Sequence, residues 1–496
     1  MVAWAALKLG RPVKWTASRS EDSITSMHAH GTIFDLELAA EPDGTLRGLR
    51  GTLWHDMGAY PSIGAITPST ILKHLPSAYR LPVMDIDVNA VFTNSTPTST
   101  VRGGGAPQGV FAIERMMDLL AARIGVEAVE VRRRNLIPPE AMPYRTRFGR
   151  SAIALDSGDF PRLLAEAHRL IGPASAPAAG KLRGVGLAMG VEHTAGFFRA
   201  EPARIRIRPD GLAEVFIGST PQGQSHQTMA AQLVADRLGW PIENIAVTAA
   251  DTRWLPNAGI TAGSRSAVHV GNAVSLAAGA ARARILQHAG HKLEVDPADL
   301  DLEEGCVIVR GAPAKRWPAT DLLPEGGLEV LEAWNAGTPS TCPGSCHAVE
   351  VEVDPETGAV AVTRYVVVYD SGREINPAVV EGQLQGGLVH GIGYGLFEEA
   401  IFGSDGGFQT PTLSEYCVAG PADLAFDLRL VSRATAAPGN PEGIKGAGEV
   451  GTIPAAAAIA AAVEAAVRLV APNATISDVP IHPARIVQLI AESGRL

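Results

Sequence analysis

The sequence predicts an α+β fold of two domains built from mixed sheets and helices, and three observations predict it. First, three segments read as strand, tight polar turn, strand: "TIFDLELAAEPDGTLRGLRGTLWHDMG", "ARIRIRPDGLAEVFIGST" and "AVEVEVDPETGAVAVTRYVVVYDSG". Each turn contains Asp, Pro and Gly, and the flanks alternate apolar and polar, as β-hairpins require. Second, helical spacing runs through "GVFAIERMMDLLAARIG", "SHQTMAAQLVADRLG", "VGNAVSLAAGAARARILQHA" and "VVEGQLQGGLVHGIGYGLFEE". Third, hairpins and helices come in runs rather than in strict alternation, which argues against a doubly wound parallel sheet. At 496 residues the chain is too long for one hydrophobic core.

Taken in order, the opening "MVAWAALKLGRPVKW" reads as an amphipathic helix without a Ser, Thr, Asp or Asn cap before it. In "GVFAIERMMDLLAARIG" the spacing puts Phe111, Met116, Leu119 and Leu120 near one face. "IGPASAPAAGKLRG" crowds Pro, Ala, Ser and Gly without periodicity and reads as a linker. The expected organisation is therefore a first domain over 1–172, a linker over 173–183 and a second domain over 184–496, with 291–340 an irregular excursion.

Composition excludes several classes. The net charge of −10, with "VRRRN" as the densest basic cluster, argues against nucleic-acid binding, and 5% aromatics leave few platforms for stacking bases. Four scattered cysteines build no disulfide framework; Cys342 and Cys346 lack enough neighbouring ligands for zinc and read as structural. "IPAAAAIAAAV" falls short of the ~20 apolar residues of a membrane span, and no secretory signal opens the sequence. The inventory fits a cytoplasmic protein, although a partner could carry an export signal for a complex.

Five glycine-rich loops stand out: "TVRGGGAPQG", "STPQGQSHQT", "GITAGSRSAVHVGNA", "VVEGQLQGG" and "KGAGEVG". Most lead into a helix, whose N-terminus presents unpaired N–H groups and attracts anions. One such loop is an ordinary turn; several, interleaved with Gln, Ser, Thr and Arg, suggest a long, polar, phosphorylated ligand gripped from many sides. None matches GxxxxGK[ST] or a strand-borne GxGxxG. Glu449 sits inside the last loop, ahead of an alanine-rich stretch. Taken alone it is an acid in the first turn of a helix, and His226 and His390 are helix histidines.

As a set, and in this order, these loops resemble those of the molybdenum-binding large subunit of the xanthine dehydrogenase/aldehyde oxidase family. "LKLGRPVKWTASRSED", "AIERMMDLLAARIGVEAVEVRRRNLI" and "VEVDPETGAVAVTRYVVVYDSGREINP" share the resemblance, which covers nearly the whole chain. It implies hydroxylation of an aldehyde or aromatic N-heterocycle with oxygen from water. It also implies a molybdenum–molybdopterin cofactor, for which the cytosine dinucleotide form is one option. Electrons would pass to an iron–sulfur small subunit and a FAD-binding medium subunit, since the cysteines here lack cluster spacing. The metal is held through the pterin, so no protein metal ligand is expected.

Residue by residue, the resemblance makes Glu449 the base that takes a proton from the molybdenum-bound hydroxyl. Arg102, Gly103 and Gly104 fall beside the cofactor. Gly223, Gln224 and Ser225 fall on a loop that usually reads Gly-Gln-Gly, so Ser225 is a departure. Ala262, Gly263, Ser264 and Ser266 correspond to a loop around the pterin and its phosphate, and Gln383 to a glutamine bonded to the pterin. Gly104 stands where purine-oxidising relatives place an aromatic, and the cysteine of carbon-monoxide-oxidising relatives is missing. Gly104, Thr194 and Phe198 are the candidates for substrate contact. No "GGGFG"-type segment is present, so the resemblance implies a first domain incomplete at its N-terminus and a further chain that supplies the segment. An inactive pterin-binding remnant and a non-catalytic scaffold or assembly module are the alternatives.

Overall fold

The structure, a computed structural model, describes all residues except 30, 147, 149–152, 195–199, 336–340 and 495–496. Its central sheet has the order Asp427–Ser432, Val360–Asp370, Gly344–Val353, Leu182–Val191. The hairpin expected in "AVEVEVDPETGAVAVTRYVVVYDSG" is its middle pair, antiparallel from Gly344↔Asp370 to Val353↔Val360. Both faces are covered, which explains the unbroken apolar run "VVVY". Val349, Tyr365 and Val367 join a core with the helix Ala455–Val467. Their neighbours Ala348, Val366 and Val368 join a second core with Ile113 and Phe160, from the N-terminal third of the chain.

The helix Ala455–Val467 lies against the strand Leu182–Val191 because neither surface carries bulk. A Cβ on Gly184 would fall 2.2 Å from the Ala462 carbonyl oxygen, and one on Gly186 would fall 2.3 Å from the Ala462 nitrogen. One on Gly190 would meet Pro454 Cγ at 2.7 Å. Glycine on the strand and alanine on the helix thus bring two backbones into direct contact, where any larger side chain would force them apart.

A second sheet runs Leu328–Asn335, Ala200–Ile207, Ala213–Ile217, Ile245–Ala249, and contains the expected hairpin paired Ala203↔Ile217 to Ile207↔Ala213. The helices His226–Leu238 and Arg265–Leu293 pack on it through Leu233, Val270 and Val274. The first expected hairpin, Thr32–Ala40 with Leu46–Asp56, forms a third sheet with Met84–Val91.

Three expectations need correction. Residues 291–340 are not merely irregular: Leu300–Glu303, Cys306–Val309 and Ala312–Pro318 make a small antiparallel sheet, and Leu328–Asn335 is an edge strand. Short strands of four residues carry too little alternation to be read from sequence. In the helix Ala106–Ile124 the buried stripe is Val110, Ile113, Met117 and Ala121, whereas Leu119 is 38% exposed. Of the expected face, Phe111 and Leu120 are half-buried against the two cores, so the predicted stripe is rotated from the fully buried one rather than opposite to it. The opening helix, Val2–Leu9, buries none of its residues, and Leu7 is 85% exposed.

Candidate cofactor-binding and active site

All five glycine-rich loops contribute to one cavity of about 540 Å³. Arg102, Gln224, Ala262, Gly263, Ser264, Ser266, Gln383 and Glu449 line it. So do the first residues of two helices, His226–Leu238 and Arg265–Leu293, and the Asn376 cap of a third, Pro377–Leu396. Three helix N-termini on one hollow create an anion-seeking wall.

The loops close on one another where side chains are absent. A Cβ on Gly446 would stand 2.1 Å from the Ser264 carbonyl oxygen, and one on Gly451 would stand 2.4 Å from that of Leu384. Arg102 ties three loops together. Its Nε donates to the Gly448 carbonyl at 2.7 Å, and Nη2 donates to the Gln383 carbonyl at 2.9 Å and to Gln383 Oε1 at 3.3 Å. A planar guanidinium with several donors suits this bridging in a way a lysine ammonium does not.

Two serines carry unusual backbone here. Ser225 (φ 60°) and Ser264 (φ 52°) are left-handed N-caps, and neither side chain caps its helix. A glycine at 225 would adopt this conformation without strain, whereas serine holds it at a cost.

Glu449 lies in a run of turns that precedes the helix Ala455–Val467, so it is not a first-turn helix residue; its carbonyl accepts from Thr452 N at 2.9 Å. Support from the helix dipole, which fades beyond the first turn, is therefore not what positions its charge. Two charged side chains interact with it instead, Arg102 and Glu192. Glu192, unnoticed in the sequence, is 2% exposed. Its burial and the charge of Glu449 push its carboxyl well above the usual carboxylate range. Lys445, also missed, is buried and donates to Asp370 Oδ2 at 2.7 Å. Asp370 Oδ1 meanwhile accepts from Gly372 N and Thr435 N. Nothing in the one-dimensional pattern of "KGAGEVG" or "VEHTAGFF" distinguishes these two from surface charges; their partners lie far away in sequence.

Four expected residues do not line the cavity: Gly103, Gly104, Gly223 and Ser225. They shape the loops instead, with φ of 99°, 56°, 101° and 60°. Thr194 is also absent from the lining; its hydroxyl pairs with that of Thr341 at 2.7 Å. Phe198 lies outside the described residues.

A pterin phosphate fits this donor set. The Ser264 hydroxyl, on the cavity wall, is buried and makes no hydrogen bond of ordinary geometry within the protein. An open donor remains available where a polar ligand would lie. Among the described residues no cluster of His, Cys, Asp or Glu could hold a metal ion directly.

Comparison with known proteins agrees with this construction. Residues 1–136 and 165–425 each match the family described as "Molybdopterin cofactor-binding domain". The chain is 32% identical to the "6-hydroxypseudooxynicotine dehydrogenase complex subunit gamma" of Paenarthrobacter nicotinovorans, an alignment that takes in 98% of this chain and 63% of that protein. It is also 32% identical to the "Nicotine 6-hydroxylase large subunit" of the same organism, over 98% of this chain and 62% of that one. Quinoline 2-oxidoreductase from Pseudomonas putida 86 superposes with a TM-score of 0.90 at 31% identity, covering 99% of this chain and 66% of the other. The chain thus spans less than two-thirds of the length of these relatives. Two molybdopterin cofactor-binding domains, arranged as in those enzymes, place the chain in the molybdenum hydroxylase large-subunit family.

Proposed function

We propose that this chain is the cofactor-gripping portion of a molybdenum hydroxylase that converts a C–H bond of an organic substrate to C–OH, with water as the oxygen source. The observation that carries it is Glu449 at the edge of a cavity built from five loops, held through Arg102 and close to Glu192. A bound molybdenum pterin supplies the two-electron oxidant. The chain's own residues do the rest. The Ser264 and Ser266 hydroxyls and the helix N-termini around them offer donors to the pterin's phosphate. Gln383 and Gln224 offer amides to its ring, and Arg102 fixes the loop that bears Glu449 relative to both. Glu449 is the general base, removing a proton from the attacking oxygen of water.

An aromatic N-heterocycle is the favoured substrate class, because nicotine and quinoline are named in the similar proteins above. The loop "VRGGGAPQG" lacks a cysteine, which disfavours a copper-assisted reaction of carbon monoxide. The relatives' names describe subunits of complexes, and the proposal extends to an iron–sulfur and a FAD subunit here. It extends also to a polypeptide segment equivalent to the part of the relatives that this chain does not span. Trp4, Leu7, Trp15, Ile24, Met27 and Ile33, all more than half exposed, provide an apolar surface for it. The domain division 1–172 and 184–496 is retained, as is the cytosine dinucleotide form of the pterin and a cytoplasmic location; among the described residues no helix is long and apolar enough to cross a membrane.

The test is Glu449→Gln in the purified complex. Turnover is expected to vanish while molybdenum and pterin content stay unchanged. Unchanged turnover removes Glu449 as the base, and a wild-type complex without molybdenum leaves a scaffold.

A further inference from the structure

We propose that Glu192 is a positioning residue that stays protonated and donates a hydrogen bond to the Glu449 carboxylate, so that the site works as a carboxyl pair sharing one proton. This presupposes Glu449 as the base and adds a second acid that no pattern in the sequence marks.

The geometry begins with the strand Leu182–Val191, which Glu192 directly follows. Its backbone nitrogen donates to the Pro343 carbonyl at 3.0 Å, which continues the ladder with Gly344–Val353. The strand's Gly184, Gly186 and Gly190 bring its backbone against residues 454–466. Glu449 precedes that segment by a few residues. Two backbones that cannot slide apart therefore carry the two acids, and their approach is set by the fold rather than by flexible side chains.

Around Glu192 there is an acid, a hydroxyl and one cation. Glu449 faces it from the loop 445–451, Ser264 from the loop 259–266, and Arg102 from the loop 100–105. Arg102 has already committed its Nε and Nη2 to carbonyl and amide oxygens. No ion pair within 4 Å reaches Glu192 among the described residues, and neither of its oxygens has a hydrogen bond of ordinary geometry. A carboxylate this deeply buried, with an acid as neighbour and its one neighbouring cation bonded to other oxygens, is costly, and the neutral form relieves the cost. Two carboxyls that close behave as one titrating unit: one holds the proton, and the other is free to act as an acceptor.

Protonated Glu192 donates, and Glu449 accepts. The donated bond aims one oxygen of Glu449 at Glu192, leaving the second for the cavity. When the base takes a proton, the pair holds two; release returns it to one. No oxidant or further reactant enters this step.

The experiment uses the intact complex with Glu192→Gln, Glu192→Ala and Glu449→Gln. Infrared spectra of the wild type at neutral pH are expected to contain the C=O absorption of a buried protonated carboxyl that Glu192→Gln removes. In the pH profile of kcat/KM, Glu192→Ala is expected to move the acid limb upward by about one to two units, the size of a lost hydrogen bond to a charged group. Glu192→Gln, which still donates, is expected to keep the acid limb and lose the alkaline limb. Absence of that absorption in the wild type, or an acid limb in Glu192→Ala that matches wild type, overturns the pairing. Because Glu449→Gln abolishes turnover whether or not Glu192 matters, loss of the pairing is distinguishable from loss of the base.

Discussion

Replacing Gly446 by alanine tests how closely the cavity depends on backbone contact. Gly446 has no left-handed φ, so alanine meets no conformational penalty and the effect is steric alone. The new methyl would stand 2.1 Å from the Ser264 carbonyl oxygen and 2.9 Å from its carbonyl carbon. Comfortable contact between such atoms is roughly 3.5 Å, so the two loops must part by on the order of 1 Å. Overpacking of this kind costs about 1–3 kcal/mol, and a displacement of ~1 Å at a reacting centre lowers the rate by roughly a hundredfold. Gly448 provides the graded comparison, since its methyl would meet the Ser264 hydroxyl at 3.0 Å, a side-chain atom that can rotate away. Gly382 provides the control: it lies exposed in the helix Pro377–Leu396 with nothing within 4 Å. In the purified complex the expected order of damage to pterin content and kcat/KM is Gly446→Ala well above Gly448→Ala, with Gly382→Ala neutral or more stable. A Gly446→Ala complex with full cofactor and wild-type kcat/KM would refute the claim that the loops must touch.

Arg102→Lys keeps the charge and loses the fork, so kcat/KM should fall about tenfold to a hundredfold with little change in thermal midpoint; an unchanged kcat/KM would make Arg102 a mere surface charge. Ser225→Gly relieves a left-handed φ of 60° and should raise stability in urea unfolding by about 1 kcal/mol; a loss would mean that the hydroxyl has a partner worth more than the strain. Glu350 supplies a pH dependence. Burial pushes its carboxyl up, but Arg364, the Ser175 backbone and the Thr363 and Ser175 hydroxyls outweigh this and hold it at about 2. A depressed folded value means that its contribution is present above the unfolded carboxylate range and is lost as pH falls from about 5 toward 2. Glu350→Gln should therefore flatten that part of the stability profile, and an acid limb identical to wild type would contradict it.

What could be read from the sequence was what local chemistry controls. The hairpins at Asp43–Gly44, Asp210–Gly211 and Thr357–Gly358 were legible because their turn residues act within a few positions. The glycine loops were legible as a set because bare backbone repeated ahead of helices has few other uses. The buried face of Ala106–Ile124 was not, since Ala121 outranks Leu119 only once a neighbouring helix and sheet are in place. Glu192 was invisible for the same reason: an acid after a strand is ordinary until Glu449, 257 positions away by subtraction, is folded against it. Glu449 was read as an acid in the first turn of a helix, and that physical support is absent, because the helix begins later than the alanine run suggested.

The Arg102 bridge carries a consequence for how the protein matures. Its bonds join residues 281 and 346 positions apart, so the cavity is among the last parts of the chain that can assemble, after both long loops have closed. A ligand that bridges the loops at 102, 264 and 449 then acts as a clasp between distant stretches of one polypeptide. Its supply sets how far the folded state is stabilised, because binding to the native form alone adds a stability that grows with the logarithm of the free ligand concentration relative to Kd. Supply of the pterin is in that sense a folding factor for the chain, and scarcity of it would first show as turnover of the protein rather than as a pool of idle enzyme.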